Sequence, residues 1–177
     1  MSGSVFFIES VNRGQELVAN VVEGLTEEEL AHRVDAGANS IAWLIWHLSR
    51  VEDDHVAAAA EALGRTSGTD QVWLAEGFVR RFGLPFADTE IGYGQSSDDV
   101  AKVTGLSGSL LAEYYDAVHA RTVGFLQSLS EDDYDVVVDE RWDPPVTLGV
   151  RLVSVVGDTT QHVGQAAFVR GLVERAR

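Results

Sequence analysis

Four long stretches of the chain repeat apolar residues every three or four positions, and this rhythm restricts the fold to a helical one. Such spacing places the apolar side chains on one face of an α-helix, which is then buried against neighbouring helices. The stretches begin near residues 5, 39, 107 and 148. We therefore predict an all-α protein: an antiparallel four-helix bundle with a long crossover between the second and third long helices, forming a single domain over residues 1–177.

The connecting segments carry weaker local signals. Thr26 and Glu29 have the spacing of a capping box and predict a second helix start after the first long helix. The crossover is rich in glycine and turn residues, and we expect one short helix near residues 70–82 followed by a long loop. After the third long helix the segment YDVVV reads as extended, and the chain turns at Pro144 and Pro145.

Composition excludes several classes of function. The chain has 13 Lys and Arg against 28 Asp and Glu, so its formal net charge of −15 opposes binding to nucleic acid or to an anionic membrane. The absence of cysteine excludes disulfides, thiolate metal ligands and a cysteine nucleophile, so any thiol chemistry needs a thiol from outside. No stretch has the roughly 18 apolar residues of a membrane span, and we expect a cytoplasmic protein.

The fourth long helix has an unusual pair of polar residues on its apolar face. Its buried stripe is predicted to contain Leu148, Leu152, Val155, Ala166, Val169 and Val173. Asp158 and His162 lie where this stripe should continue, and residues four apart on a helix are neighbours about 6 Å apart. Because a carboxylate that faces a core is costly without a partner, we expect a cation, a hydrogen-bond network or a metal ion beside it.

His47 is the best third member of such a site among the five histidines. It lies within IAWLIWHLSR, surrounded by apolar residues, whereas His32, His55 and His119 have polar neighbours. Together His47, Asp158 and His162 form a two-histidine, one-carboxylate set, which suits Zn, Ni, Mn or Fe(II) and leaves coordination positions free for water or substrate. The alternative from spacing alone is a hydrogen-bonded pair of Asp158 and His162 without metal.

Two segments resemble signatures of a known family. NSIAWLIWHLSRVEDDH and GDTTQHVGQAAFVRGL are similar to the two characteristic segments of the DinB-like (DinB/YfiT) superfamily of four-helix bundles. Members commonly bind a divalent metal through one histidine on the second long helix and a His-x-x-x-His pair on the fourth. The resemblance therefore implies ligands at His47, Asp158 and His162, with Asp158 replacing the first histidine of the pair. A carboxylate at that position is similar to the bundle domain of mycothiol-dependent maleylpyruvate isomerase.

The resemblance also implies a chemistry. Better understood relatives are thiol-dependent S-transferases or isomerases that use mycothiol or bacillithiol as co-substrate, with the metal binding and deprotonating the thiol. A metal-dependent hydrolase would use the same ligands. The alternative from another class is a non-catalytic binding or dimerisation module with a structural metal or none. The relatives' homodimers imply a homodimer here, and the expected partner is a small-molecule substrate.

Four further residues are candidates for contacts with substrate. Arg50 and Asp54 follow His47 on roughly the same helix face, Trp43 precedes it by one turn, and Arg170 lies two turns beyond His162. Each also has a structural alternative: ion pairing on a helix face for Arg50 and Asp54, core packing for Trp43, and pairing with an acidic group at the helix end for Arg170. The glycine-flanked Tyr93 in EIGYGQSS suggests either a lid over the site or a surface loop.

Overall fold

The computed structural model describes residues 3–176. Its α-helices are α1 (Gly3–Val22), α2 (Glu27–Ala31), α3 (Ile41–Ala62), α4 (Val72–Ala75), α5 (Phe78–Phe82), α6 (Ser97–Val100), α7 (Gly108–Gln127) and α8 (Leu148–Arg175). A 3-10 helix (Glu131–Asp135) and two short strands, β1 (Val137–Asp139) and β2 (Val146–Thr147), lie between α7 and α8. The all-α prediction is confirmed, and the four predicted long helices correspond to α1, α3, α7 and α8.

Side-chain caps explain where the long helices begin. Ser40, Ser107 and Thr147 each accept a hydrogen bond from the backbone N–H three residues on, which satisfies one of the unpaired donors at a helix start. Thr26 and Glu29 form the predicted capping box at α2. These caps fix the entry of α3 and α8, the two helices that carry the candidate metal ligands.

The four long helices form a ring in the order α1, α7, α3, α8. Hydrogen bonds from Gln15 to Asp116 and between His119 and Asn12 show that α1 and α7 are antiparallel. The contact of Arg151 with His55 and the approach of Asp158 to His47 show the same for α3 and α8. Gly14 of α1 lies beside Thr159 of α8, and Arg170 of α8 donates to the carbonyls of Asn20 and Glu23, so α1 and α8 are parallel. It follows that α3 and α7 are also parallel, and the long crossover between them returns the chain to the end of the bundle at which α3 begins.

The crossover is anchored to the bundle by Asp53 of α3. Its carboxylate accepts hydrogen bonds of 2.8 Å from the backbone N–H groups of both Val72 and Trp73 at the start of α4. The single short helix predicted near residues 70–82 is instead two, α4 and α5, because Gly77 between them adopts a left-handed conformation with φ of 73°. The α6 helix was not predicted from the sequence.

The extended segment predicted at YDVVV, residues 134–138, is present only in its second half: Val137 and Val138 lie in β1, which pairs antiparallel with β2, whereas Tyr134 and Asp135 end the 3-10 helix. Asp139 at the end of β1 accepts a hydrogen bond from Arg151 of α8, so the hairpin is fixed against the bundle. Within residues 3–176 no helix is both long enough and apolar enough to cross a membrane.

Candidate metal centre

The antiparallel packing of α3 and α8 brings together the three predicted ligands, His47, Asp158 and His162. One ligand atom from each residue lies within 4.8 Å of the other two. His47 Nε2 is 4.0 Å from Asp158 Oδ1, and His162 Nδ1 is 3.3 Å from Asp158 Oδ2. Two imidazoles and one carboxylate thus converge on one point between the helices.

The His47 ring is held in one tautomer. Its Nδ1–H donates to the backbone carbonyl of Ile91, and because a carbonyl can only accept, Nδ1 carries the proton and Nε2 keeps its lone pair. Trp43, one turn earlier, stacks on the imidazole with ring centroids 4.6 Å apart. Burial lowers the pKa of His47, so the ring is neutral near neutral pH, the form that binds metals.

His162 is oriented by its own helix. Its Nδ1–H donates to the Asp158 backbone carbonyl at 2.9 Å, which leaves Nε2 as the free ring nitrogen. Burial disfavours the charged ring, but the adjacent negative carboxylate of Asp158 and its backbone carbonyl outweigh it and raise the pKa of His162. A metal cation beside Asp158 would take the place of the protonated imidazole as the positive charge that pairs with the carboxylate.

The Asp158 carboxylate provides the test of whether these residues suit a metal ion. Its Oδ2 atom is buried and accepts no hydrogen bond, because the neighbouring N–H of His162 is directed to the backbone carbonyl. A buried carboxylate oxygen without a hydrogen bond is costly. A divalent cation held by Asp158 and two neutral histidines would satisfy it, so the donor set fits Zn, Ni, Mn or Fe(II).

A loop of the crossover, residues 90–95, supports the site from outside the ligand set. The Glu90 side chain accepts hydrogen bonds from the backbone N–H groups of Ile91 and Gly92. Gly92 has φ of 96°, and a Cβ there would lie 2.6 Å from His47 Nδ1. Sequence reasoning considered this segment a lid or a surface loop and missed its contact with His47. The two glycines were the only signal of a close backbone approach.

Tyr93 of the same loop lies at the open side of the site. Its ring meets the His47 ring edge-on with centroids 5.5 Å apart, and the residue is 59% exposed. Partial burial raises the pKa of Tyr93, and the charge of Asp158 raises it further. The tyrosine therefore stands between the candidate ligands and solvent.

The four candidate substrate residues occupy different surroundings. Arg50 is fully buried and donates to the Glu90 carbonyl and to Gln71, so it supports the loop that holds His47. Asp54 is partly exposed and faces a cavity two turns from the ligands. Trp43 stacks on His47 and donates to Gln95 of the loop.

Arg170 lies at the far end of α8. It donates to the backbone carbonyls of Asn20 and Glu23 at the end of α1 and pairs with Glu174. The pairing with Glu174 agrees with the structural alternative for Arg170, in which it pairs with an acidic group at the end of the helix. A role in substrate binding stays a prediction for all four residues.

The bundle and this cluster define a class: helical-bundle proteins with a two-histidine, one-carboxylate group on two facing helices. A family model described as mycothiol S-transferase matches residues 8–175. The chain therefore belongs to the mycothiol S-transferase family, a DinB/YfiT-like family, which confirms the resemblance seen in the sequence.

A solved structure shares the fold over nearly the whole length of both proteins. It is the crystal structure of a conserved protein from Enterococcus faecalis, with a TM-score of 0.85 and 29% sequence identity over 98% of each chain. No curated protein matches the chain.

Proposed function

We propose that the protein is a divalent-metal-dependent S-transferase that uses mycothiol as its thiol co-substrate. Membership of the mycothiol S-transferase family supports the reaction class. The observation that carries the metal dependence is the Asp158 carboxylate, whose buried Oδ2 accepts no hydrogen bond and whose two oxygens each lie within 4.0 Å of a histidine nitrogen. His47, Asp158 and His162 are the proposed metal ligands.

A divalent cation at this site would act as a Lewis acid that lowers the pKa of the thiol and favours the nucleophilic thiolate. In the transfer itself the thiol loses its proton, the sulfur electron pair forms a bond to an electrophilic carbon, and the leaving group departs with the bonding pair. The chain prepares this chemistry by holding its ligands: the Ile91 carbonyl fixes the His47 tautomer, and Asp158 fixes that of His162.

A cytoplasmic location and a homodimer belong to the same proposal. A low-molecular-weight thiol stays reduced in a reducing compartment, and that is where a thiol-dependent enzyme can work. For the dimer, the outward face of α8 is the proposed interface, with a second copy of the chain as its occupant. The face exposes three apolar side chains, from Val150, Val153 and Phe168.

Glycines on the same face of α8 support close approach of a second copy. Gly157, Gly164 and Gly171 follow one another at intervals of seven residues. A Cβ on Gly164 would contact nothing within 4 Å, so the protomer itself gains nothing from this glycine, which costs about 1 kcal/mol relative to alanine in a helix. An antiparallel copy of α8 centred between residues 160 and 161 would pair Gly157 with Gly164 and Val153 with Phe168, as a two-fold interface requires.

S-transfer from mycothiol to an alkyl halide, followed by mass spectrometry of the thioether, tests the proposed activity. We expect turnover above the uncatalysed rate, and a loss of at least about 100-fold in His162→Ala and after metal chelation, because one ligand or the ion itself is missing. His119→Ala is the matched control, since His119 lies on α7 and bonds Asn12. Turnover that is unchanged in His162→Ala, or absent from the metal-loaded protein, would contradict the proposal.

A further inference from the structure

A second polar surface lies two helical turns from the candidate metal centre. On α3, Asp54 follows His47 by seven residues, and on α8, Arg151 precedes Asp158 by seven residues. Seven residues correspond to nearly two turns and about 10.5 Å along a helix axis, on almost the same face. Because α3 and α8 are antiparallel, both displacements run in the same direction. Asp54 and Arg151 therefore share one surface, about 10 Å from the ligands.

A cavity of about 350 Å³ opens at this surface and is lined by Asp54 and Arg151. Three alanines of α3, Ala58, Ala59 and Ala62, line the cavity opposite β1 and the residues that follow it, and their small side chains leave space there. The cavity has an apolar floor of alanines and a rim of charged groups. Such a combination suits a ligand whose ring carries C–H groups on its faces and polar groups at its edge.

The charged groups of the rim are already paired with one another. Arg151 donates to Asp139 at 2.7 Å and lies 3.2 Å from His55 Nε2, while Arg141 also donates to Asp139, at 2.9 Å. The lining further includes Glu61 and Glu140, so its carboxylates outnumber its guanidinium groups. An anionic ligand would therefore be repelled, whereas a neutral ligand leaves the ion pairs intact.

We propose that this cavity binds the neutral, hydroxyl-rich sugar and cyclitol portion of the thiol co-substrate while its sulfur lies at the metal centre. This inference rests on the proposed function. Hydroxyl groups both donate and accept, so they can bond carboxylates and guanidinium groups that are already paired. In mycothiol the cysteinyl group separates the sulfur from the sugar rings, so a thiol bound at the ligands extends along the surface toward Asp54 and Arg151.

Filling the cavity provides a direct test. Ala58 and Ala120 are both exposed alanines of long helices, but Ala58 lines this cavity and Ala120 lines a different one beside Arg121. The probe is the thiol-free and neutral pseudodisaccharide N-acetylglucosaminyl-inositol, titrated into metal-free protein by calorimetry. We expect binding to the wild type, at least tenfold weaker binding to Ala58→Phe, and unchanged binding to Ala120→Phe. No binding to the wild type, or equal binding to Ala58→Phe, would overturn the proposal.

A kinetic measurement separates failure of this inference from failure of the proposed function. We expect Ala58→Phe to raise the ratio of KM for mycothiol to KM for N-acetylcysteine about tenfold, because the shorter thiol lacks the rings. An unchanged ratio with active enzyme would overturn the cavity assignment alone. If no thiol is transferred by the metal-loaded wild type, the proposed function fails, and the calorimetric titration still decides whether the cavity binds the pseudodisaccharide.

Discussion

At the scale of single residues, Gly92 shows how the backbone outside the ligand set controls the candidate metal centre. Its left-handed conformation allows the loop to lie directly on His47, so that the neighbouring Ile91 carbonyl can accept the Nδ1 proton. This hydrogen bond keeps Nε2 free for a metal ion, the usual function of a carbonyl behind a ligating histidine. Asp158 and His162 were predicted from helical spacing and His47 from its apolar surroundings, but the loop could not be predicted, because no periodicity connects residue 92 to residue 47.

Gly92→Ala should therefore weaken metal binding. The added Cβ would lie 2.6 Å from His47 Nδ1 and displace either the loop or the ring. We expect a loss of metal affinity of about 10- to 100-fold, as for other outer-shell changes, measured by competition with a chelating indicator. Gly94→Ala is the matched control: its φ is 71°, but nothing lies within 4 Å of its added Cβ. Equal affinities for the two variants would contradict the role of the loop.

Glu52 makes a residue-scale prediction about pH. This side chain is fully buried on α3 and accepts a hydrogen bond from the Tyr115 hydroxyl at 3.0 Å. Burial raises the pKa of Glu52 from 4.5 to about 7. Between these values only the folded chain holds the proton, so this residue's contribution to stability decreases as pH rises from about 4.5 to about 7 and stays low above it.

Glu52→Gln removes this titration while keeping the size of the side chain. We expect the variant to match the wild type near pH 4.5 and to exceed its free energy of unfolding by about 3 kcal/mol at pH 8. Urea denaturation between pH 4.5 and 8 measures the difference, with Glu16→Gln on the exposed face of α1 as control. A difference that does not vary with pH would show that Glu52 does not titrate in this range.

At the scale of elements, the long helices were predictable because each carries apolar residues at helical spacing, and α3, α7 and α8 also begin after a capping serine or threonine. For example, α3 begins at Ile41, directly after the capping residue Ser40 and at the start of a run of apolar residues. The crossover was less predictable because its position depends on single contacts with distant helices. Asp53 provides the main contact of this kind: its buried carboxylate holds the start of α4, nineteen residues further along the chain.

Asp53→Ala should detach this crossover. The change leaves two backbone N–H groups, the Tyr114 hydroxyl and the buried Arg50 without their common acceptor. Removing one partner from such a buried network costs about 3–5 kcal/mol. Urea denaturation should show this loss, whereas Asp88→Ala, at an exposed position of the same crossover, should change stability by less than about 0.5 kcal/mol. A small effect of Asp53→Ala would mean that the aromatic contacts alone fix the crossover.

At the scale of the whole molecule, the outward face of α8 makes the homodimer testable. Gly164→Arg should prevent close approach of two α8 helices and give a monomer in sedimentation velocity, while the wild type sediments as a dimer. Gly124→Arg is the matched control, because Gly124 is exposed on α7 and its added Cβ likewise contacts nothing within 4 Å. A dimeric Gly164→Arg variant would show that the interface lies elsewhere, and a monomeric wild type would contradict the proposed homodimer.

For the whole molecule, the central proposal is that α3 and α8 hold one divalent metal ion between them. Elemental mass spectrometry of untagged protein purified without added metal measures this directly, for the wild type, His162→Ala and the control His119→Ala. We predict close to one equivalent of Zn, Ni, Mn or Fe per chain in the wild type and in His119→Ala, and none in His162→Ala. Wild-type protein that contains no metal, and takes up none on dialysis against these ions, would contradict the account and leave Asp158 and His162 as a hydrogen-bonded pair.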